Sequence, residues 1–395
     1  MVDGLINFNQ YEITTPIIKV IGVGGGGGNA VEYMYRQGIC DVDFVLCNTD
    51  SQALNQSPIK TRIQLGTGLG AGNRAEVGEA AALESVDEIR GLLSVNTKMV
   101  FITAAMGGGT GTGAAPVIAK LAKEMGILTV GIVTIPARFE GPKRLEQARV
   151  GVSKMKDYVD SLIIIDNEKI QRIYGPQPLS CAFGKANDVL NIAAKGIAEI
   201  ITLPGYINVD FADVRTVMTD SGIAIMGAAQ AAGEERAHRV IADALNSPLL
   251  NKNDLAGAKD ILLNITSGTD EITMDEMNEI TSYVIREVGD NAAIIWGVGT
   301  DESLGDAISV TIIATGFPMD DVDTIPIPGP KNAVATEEVT EPGRKKELEK
   351  GAINYVEELL KETDVVLRAD LSREQIKELE ETPAYTRRHI KIDRT

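Results

Sequence analysis

The stretch "IGVGGGGGNA", residues 21–30, places five consecutive glycines directly after a short apolar run. A glycine inside a regular element destabilises a fold by roughly 0.5–1 kcal/mol relative to alanine, so five together need a compensating role. Glycine lets backbone N–H groups approach phosphate oxygens closely, and a helix N-terminus adds positive potential. The stretch therefore predicts a phosphate-binding turn between a buried strand and a helix that starts at Asn29.

Two other interpretations of this turn remain open. The glycines could serve only the close packing of a strand against a helix. They could also belong to a dinucleotide-binding fold, whose fingerprint includes an acidic residue about 20 residues further on. Asp43 or Asp50 could fill that place. A NAD-dependent oxidoreductase with a Rossmann fold is therefore an alternative function on this turn alone.

A second glycine-rich stretch, "GGGTGTG" at residues 107–113, also follows an apolar run and precedes a helical pattern. Two phosphate-binding loops at neighbouring strand ends suit a di- or triphosphate, whereas a dinucleotide fold needs only one. The sequence contains no GxxxxGK[ST] motif, so the lysine of an ordinary P-loop is absent. Charge neutralisation then depends on backbone N–H groups, Mg²⁺ and Arg144.

Apolar runs alternate with helical patterns over the first part of the chain, which predicts a parallel, doubly wound sheet covered on both faces. A long helix follows over 179–202, and a second α/β region extends to about residue 317. The predicted strands are 16–24, 42–50, 98–106, 127–136, 160–168, 261–266, 291–299 and 307–316, and the predicted helices of the first part include 76–93 and 114–126, the latter with Pro116 in its first turn.

Composition and charge narrow the class of protein. The chain has 395 residues, of which 44% are hydrophobic, which suits two or three domains with sizeable cores. A net charge of −18 argues against a general nucleic-acid binder or a protein that lies directly on anionic lipid. Three cysteines and two histidines exclude a disulfide framework and a His-based metal site. We find no signal-peptide pattern and no apolar run near the roughly 18 residues of a membrane span, so we expect a cytoplasmic protein.

The two glycine stretches, taken with five further motifs, resemble the FtsZ family of tubulin-like bacterial cell-division GTPases. The resemblance covers about residues 16–317 and implies an α/β, tubulin-like fold: a Rossmann-like doubly wound GTPase domain, a long central helix, a second α/β domain and a flexible C-terminal tail. The further motifs are "NTDSQAL" (48–54), "GLGAG" (68–72), "FEGPKR" (139–144), "AFGKANDVL" (182–190) and "NVDFADVRTVM" (208–218).

The resemblance also implies domain boundaries. They are an N-terminal tail over 1–15, a GTP-binding domain over 16–178, the central helix over 179–205, a C-terminal α/β domain over 206–318 with a catalytic loop at its start, a charged linker over 319–380 and a partner-binding peptide over 381–395.

For the nucleotide, the resemblance implies that the first glycine turn holds the α- and β-phosphates of GTP or GDP, with Mg²⁺ bound through phosphates and water. The second loop wraps the phosphate chain, with two threonine hydroxyls as donors, and a loop around residue 72 senses the γ-phosphate. Other positions would contact the ribose and the guanine base. The candidate residues are Gly24, Gly25, Gly26, Gly27, Gly28, Asn29, Asn48, Asp50, Ala71, Gly72, Asn73, Gly107, Gly108, Gly109, Thr110, Gly111, Thr112, Gly113, Glu140, Arg144, Asn167, Phe183, Asn187 and Asp188.

Several of these residues have simpler interpretations. Glu140 and Arg144 are four residues apart, the spacing of an ordinary helical ion pair. In the family, Phe183 would stack on the base, but an aromatic residue on a long helix is more often part of a core. Asn187 and Asp188, which would read the guanine edge, could be solvated helix residues.

Asp210 and Asp213 are the candidate catalytic residues, with Asn208 assisting. The resemblance places them in trans, where they would position and polarise the attacking water over the nucleotide of the next subunit. Phosphoryl transfer needs mainly positioning and electrostatics, which two carboxylates can supply. Hydrolysis would then follow head-to-tail polymerisation. The alternative is a helix cap, because acidic residues favour helix N-termini.

The remaining features concern departures from the family and the tail. The loop over 65–78 reads "LGTGLGAGNRAEVG" and lacks the usual arginine, and the 136–144 stretch carries Ala137 and Pro142. "ETPAYTRR" (381–388), around Pro383 and Tyr385, resembles the peptide that docks membrane-anchoring division proteins. We therefore expect a cytoskeletal GTPase of the division (Z) ring at midcell, and keep a non-hydrolysing, nucleotide-bound scaffold as a further alternative.

Overall fold

The computed structural model describes residues 16–39, 41–174, 179–202, 205–207, 209–247, 257–289 and 292–317. The predicted N-terminal tail (1–15), the linker (319–380) and the terminal peptide (381–395, with Pro383 and Tyr385) lie outside the described residues, as does Asn208. In the described part, no helix is long and apolar enough to cross a membrane.

Six strands form the first half of the sheet: β1 (Ile18–Val23), β2 (Val42–Asn48), β3 (Thr61–Gln64), β4 (Met99–Ala105), β5 (Leu128–Ile135) and β6 (Ser161–Asp166). They pair in parallel in the order β3-β2-β1-β4-β5-β6, which confirms the predicted doubly wound sheet. The strand order reverses between β1 and β4. Ligands of such sheets bind at this reversal, beyond the carboxyl ends of the strands.

Helices cover both faces of these strands. In chain order they are α1 (Gly24–Arg36), α2 (Ser51–Gln56), α3 (Ala75–Glu84), α4 (Val86–Leu93), α5 (Thr110–Glu124), α6 (Pro142–Tyr158) and α7 (Asn167–Tyr174). All six residues of β1 are buried, with Ile18 and Val20 in one core and Ile21 and Val23 in the other. Burial on both faces explains why the strands read as continuous apolar runs.

Three helix predictions are wrong in detail. α1 begins at Gly24 instead of Asn29, so the glycines form its first turns and not a preceding loop. α5 begins at Thr110, which leaves Pro116 inside the helix and not in its first turn. The single helix predicted over 76–93 is two helices that meet at Ser85. Glycine has a low helix propensity, so a helix start built from glycines is set by packing and not by local preference.

The second half begins with the long helix α8 (Leu179–Thr202), whose 24 residues span about 36 Å. It is followed by β7 (Gly205–Ile207), α9 (Phe211–Met218), β8 (Gly222–Ala232), α10 (Arg236–Leu245), β9 (Asp260–Ser267), α11 (Met274–Val288), β10 (Ala293–Thr300) and β11 (Ala307–Phe317). The described side chains of α8 between Leu190 and Ile200 join the same core as β1 and α1.

The two halves share one sheet. β8 pairs in parallel with β6, and the order continues β8-β11-β9-β10-β7, giving eleven strands in all among the described residues. Sequence analysis missed β8, because its sequence GIAIMGAAQAA is rich in alanine and glycine, which have low strand propensity. The domain boundaries stated above stay a prediction.

Arg236 holds together the loops of the second half. Its side chain is 6% exposed, and its guanidinium donates to the Glu276 carboxylate, with Nε to Oε1 at 2.7 Å. The same group donates to the backbone carbonyls of Asp270, Glu271 and Asp306. The three carbonyls lie on the loops that precede α11 and β11, and Glu276 lies in the first turn of α11. One buried cation therefore fixes the relative positions of these elements.

The Arg236–Glu276 pair predicts a defined acid sensitivity. The guanidinium lowers the pKa of the Glu276 carboxyl from 4.5 to about 2. Since the folded-state pKa lies below the unfolded one, the pair stabilises the fold above pH 4.5, and this contribution is lost as the pH falls from 4.5 to about 2. Over this window we expect the wild type to lose more unfolding free energy than Glu276→Gln, which has no charge to lose. Urea unfolding at stepped pH measures the difference, and parallel pH profiles would contradict it.

Candidate functional site

Two helices begin at the same edge of the sheet, at the point where the strand order reverses. β1 and β4 lie side by side, with Val23 opposite Ala104, and α1 and α5 start directly beyond them. Neither helix start has a side-chain cap or an acidic residue in its first turn. Their first backbone N–H groups therefore keep their capacity to bind an anion, and both helix dipoles favour one.

Some glycines of the first stretch are required by conformation or packing. Gly24 has a φ of +72°, and a Cβ there would lie 2.9 Å from the backbone nitrogen of Gly111. A Cβ on Gly26 would overlap the Ala105 side chain, and one on Gly27 would overlap the carbonyl oxygen of Thr103. For these residues the close-packing interpretation is correct, because α1 lies directly on β4 and on the start of α5.

Other glycines have open space beside them. A Cβ on Gly25 or Gly108 would meet nothing within 4 Å, and one on Gly28 would meet only Leu46, at 3.9 Å. Packing therefore does not explain glycine at these positions. Gly25, Gly28 and Asn29 also line a cleft together with Asn48 of β2. The structure thus brings these four candidate residues together.

Most glycines of the second stretch are packed against neighbouring elements. Gly107 has a φ of +96°, and a Cβ on this residue would lie 2.7 Å from the carbonyl oxygen of Arg144. A Cβ on Gly109 would come within 2.7 Å of the Ala71 side chain. A Cβ on Gly111 would overlap the carbonyl oxygen of Ala105, and one on Gly113 would overlap that of Ala75.

The two threonines of this stretch differ. The Thr110 hydroxyl shares a 2.6 Å hydrogen bond with the hydroxyl of Thr49 at the end of β2. Thr112 is buried, and its Oγ1 accepts a hydrogen bond from the backbone N–H of Gly107 at 2.9 Å. The Thr112 hydroxyl therefore helps to hold the shape of its own loop, and its expected role as a donor to phosphate stays a prediction. Sequence analysis did not single out Thr49, whose signal was its position between Asn48 and Asp50.

The candidate γ-phosphate loop lies beside the end of β2. The backbone N–H of Gly70 donates to the carbonyl of Thr49 at 2.8 Å, and that of Ser51 donates to Gly68 at 3.1 Å. Asp50 caps α2, since its Oδ1 accepts from the N–H groups of the two residues that follow Ser51. These bonds hold the 71–73 loop next to Asp50 and the second glycine stretch.

The candidate ribose residues meet at a single 3₁₀ turn over Arg138–Glu140. The Glu140 carboxylate accepts from the Ala137 backbone N–H at 3.1 Å and from Arg144 Nη1 at 2.9 Å, so the expected ion pair is formed. The N–H of Arg138 donates to Glu168 at 3.0 Å, which ties this turn to the start of α7. There Asn167 has a buried Oδ1 without a hydrogen-bond partner in the described part of the chain.

The three candidate residues for the guanine base are Phe183, Asn187 and Asp188. They lie on α8, but their side chains fall outside what the structure describes.

Cys47, which lines the cleft, is fully buried, and this burial raises the pKa of its thiol to about 12. A thiol so far from ionisation is inert, so we assign Cys47 no chemistry.

Asp210 and Asp213 form a reciprocal cap at the start of α9. Asp210 Oδ1 accepts from the Asp213 N–H at 2.9 Å, and Asp213 Oδ2 accepts from the Asp210 N–H at 3.3 Å. The helix-cap interpretation is thus realised in the structure. Asp210 is exposed and Asp213 is half-buried, so the cap leaves the Asp210 carboxylate accessible from outside.

The helix that these two carboxylates cap ends at the opposite edge of the sheet from the glycine stretches. β8 and β6 begin side by side, with Gly222 opposite Ser161, and α9 ends at Met218 just before Gly222. In addition, Lys123 at the far end of α5 pairs with Asp220 at 2.8 Å. The end of α9 therefore lies where the parallel strands begin, whereas the glycines lie where they end.

Comparison with protein-family models finds two matches. The GTPase domain of the Tubulin/FtsZ family matches residues 17–175, and the C-terminal domain of the FtsZ family matches residues 222–318. Among curated relatives, the cell division protein FtsZ of Porphyromonas gingivalis is 50% identical over 81% of this chain and 71% of its own. That of Wigglesworthia glossinidia brevipalpis is 49% identical over 79% of this chain and 83% of its own.

Solved structures give the same assignment. An empty FtsZ dimer from M. jannaschii is similar with a TM-score of 0.72 and 41% identity, and the match covers 77% of this chain and 89% of that one. A GTPγS-bound protofilament of CetZ2 from Haloferax volcanii has a TM-score of 0.63 at 21% identity, covering 75% of this chain and 92% of its own, and is similar in fold alone.

Proposed function

Because the chain belongs to the FtsZ family, and is therefore a GTPase of the cell-division cytoskeleton that binds guanine nucleotides and self-associates, we propose that its GTP is hydrolysed only where two subunits meet. In this proposal the glycine stretches of one subunit bind the nucleotide. Asp210 and Asp213 of the next subunit complete the catalytic site, and filaments grow head to tail.

One observation carries the proposal: the glycine stretches and the two carboxylates belong to distant parts of one sheet. The glycines follow β1 and β4, whereas Asp210 and Asp213 follow β7, which is eight places from β1 in the strand order. In the proposal, a second copy supplies the carboxylates by stacking the start of its α9 on the glycine stretches of the first. A contact of this kind repeats without closing, which gives an open filament.

For the nucleotide we propose that backbone N–H groups at Gly25 and Gly108 approach the phosphates, because these glycines have no packing reason and their N–H groups precede the first hydrogen bonds of α1 and α5. Gly28, whose N–H lies inside α1, contributes only open space beside them. Two uncapped helix starts free of acidic residues fit a polyphosphate. The buried, unpartnered Oδ1 of Asn167 fits a hydroxyl donor such as a ribose hydroxyl. Mg²⁺ bound between the phosphates and water near Asn48 and Asp50 would neutralise phosphate charge.

In the proposed reaction a water oxygen attacks the γ-phosphorus. The bond between that phosphorus and the oxygen that bridges it to the β-phosphate breaks, and the products are GDP and inorganic phosphate. Asp210 and Asp213 accept hydrogen bonds from the water and so orient it, with Asn208 assisting. No covalent bond to the protein forms, because phosphoryl transfer depends on alignment and electrostatics. GDP remaining at the contact would weaken the filament.

Exposed apolar residues on both halves of the sheet support self-association. Leu69, beside the candidate γ-phosphate loop, is 90% exposed, and Met274, at the start of α11, is 75% exposed. Tyr206 is also exposed and donates its hydroxyl to Glu271, three residues before Met274. Large exposed apolar side chains in two separate parts of one chain are typical of surfaces that bury each other.

We expect Leu69→Glu to raise the concentration needed for assembly at least about tenfold, since burying an unpaired carboxylate at a contact is costly. Nucleotide affinity of the single subunit should stay unchanged. The matched control is Leu83→Glu, on an exposed residue of α3 that lies in neither edge region, which should assemble like the wild type. Light scattering against protein concentration measures both variants, and equal behaviour of the two would contradict the proposed contact.

The function as a whole is tested by phosphate release from GTP at increasing protein concentration, with light scattering alongside. A GTPase completed between subunits releases phosphate at a rate per subunit that rises above a critical concentration. A silent scaffold scatters without phosphate release, and an oxidoreductase does neither. A constant rate per subunit across the assembly threshold would overturn the trans site.

We also propose that the peptide over 381–395, around Pro383 and Tyr385, docks membrane-anchoring division proteins and so places the filaments in the cytoplasmic ring at midcell. A proline–aromatic–basic cluster after a charged linker suits short-peptide recognition, and no direct membrane insertion is needed. Deleting 381–395 should leave GTP turnover and assembly of the purified protein intact. In cells the same deletion should disperse the ring, which fluorescence imaging would detect.

A further inference from the structure

Helix α6 touches the candidate γ-phosphate loop through one side chain, Gln147. Its Nε2 donates to the backbone carbonyl of Asn73 at 3.1 Å. Gln147 lies one turn beyond Arg144, whose carbonyl abuts Gly107 of the second glycine stretch. A single turn of α6 therefore contacts both loops that face the end of the phosphate chain.

The loop that Gln147 contacts is a tight turn with two left-handed residues. Gly72 has a φ of +57° and Asn73 a φ of +58°, and the N–H of Arg74 donates to the Ala71 carbonyl at 3.1 Å. The left-handed region is unfavourable for most residues, although asparagine tolerates it. Because Asn73 is exposed, water could donate to its carbonyl in other loop conformations, so the bond from Gln147 favours this one.

The other end of the Gln147 amide argues against a role in stability. Its Oε1 is buried and has no hydrogen-bond partner in the described part of the chain. A buried acceptor without a donor lowers the stability of the fold and offsets what the Nε2 bond contributes. The amide therefore contributes little to folding and acts mainly on the geometry of the loop.

We propose that Gln147 is a positioning residue that gives the site its preference for a nucleoside triphosphate over a diphosphate. This inference rests on the proposed function, which assigns the loop over Ala71–Asn73 to the γ-phosphate. Gly109 of the second stretch packs on Ala71 and on the backbone of Arg74, which fixes both ends of the turn, and the bond from Gln147 fixes Asn73 between them. A diphosphate has no group to meet the loop, so its binding does not depend on this placement.

The test compares Gln147→Met with Lys154→Gln in the full chain. Methionine matches the length of glutamine but removes both the donor to Asn73 and the unpartnered acceptor. Lys154 also lies on α6, but it forms a 2.7 Å ion pair with Glu79 of helix α3 instead of a bond to the loop. Affinities for GTPγS and GDP with Mg²⁺ are measured below the assembly concentration, together with urea unfolding.

We expect Gln147→Met to weaken GTPγS binding relative to GDP by about fivefold, the equivalent of one ordinary hydrogen bond, while its unfolding midpoint stays level or rises. Lys154→Gln should leave the GTPγS-to-GDP ratio at the wild-type value. If Gln147→Met weakens both nucleotides equally, or lowers stability along with binding, Gln147 is only a structural tie and the inference is wrong. If the wild type binds neither nucleotide, the proposed function itself fails.

Discussion

Replacing Asp213 with asparagine is expected to leave a folded, GTP-binding protein whose phosphate release falls at least about a hundredfold, the scale reported for removing one group that stabilises a transition state. Asparagine keeps an oxygen that accepts the Asp210 N–H, so the reciprocal cap of α9 survives. What disappears is the negative charge that orients and polarises the attacking water. GTP binding is preserved because Asp213 follows β7, in a part of the sheet distant from the glycines.

Asp213→Ala separates the cap from the chemistry. Alanine also removes the acceptor for Asp210, which destabilises a helix start by about 1 kcal/mol, too little to unfold the chain. If the carboxylate acts only as a cap, asparagine behaves like the wild type and alanine is merely less stable. If the proposed role is correct, both variants bind GTP, assemble and release almost no phosphate. Phosphate release above the assembly concentration, with nucleotide binding measured in parallel, distinguishes these results.

Gly27→Ala and Gly25→Ala are expected to have opposite effects, although the residues are two positions apart in α1. A methyl group on Gly27 overlaps the Thr103 carbonyl, a backbone atom that cannot move aside, and we expect a loss of about 3 kcal/mol of unfolding free energy. A methyl group on Gly25 meets nothing, and alanine in a helix is preferred over glycine by about 0.5–1 kcal/mol. Gly25→Ala should therefore be more stable than the wild type.

The same Gly25→Ala variant should bind GTP at least about tenfold more weakly, because its methyl group occupies the space through which a phosphate reaches the backbone. A gain in stability with a loss of binding is hard to produce by a general defect. Urea unfolding without nucleotide and titration with GTP measure the two effects. Unchanged GTP affinity in Gly25→Ala would show that the open space beside α1 is not the phosphate site.

The sequence predicts the parallel strands and the two glycine turns well, because continuous apolar runs that end in glycine have few other structures available. It does not divide the glycines into packed and open ones. Gly25 and Gly27 stand in the same run of glycines, so the sequence does not distinguish them. Only the packing of α1 on β4 shows that Gly27 is enclosed and that Gly25 is open. The sequence likewise does not show that the Thr112 hydroxyl accepts a hydrogen bond from its own loop.

The place of Asp210 and Asp213 is likewise beyond local reasoning. Their spacing indicates a helix cap as strongly as a catalytic pair, and the structure contains the cap. Their separation from the glycines follows from β8, the strand that sequence analysis missed, because its pairing with β6 fixes the edge at which α9 ends. Alanine-rich strands of this kind are recognised by their partners and not by their own residues.

The sheet that both halves of the chain share has a consequence for the dimensions of the polymer. In the proposed filament, one continuous sheet holds the glycine stretches and the catalytic carboxylates of each subunit apart, so the axial repeat is dictated from within the subunit and is independent of how strongly neighbours adhere.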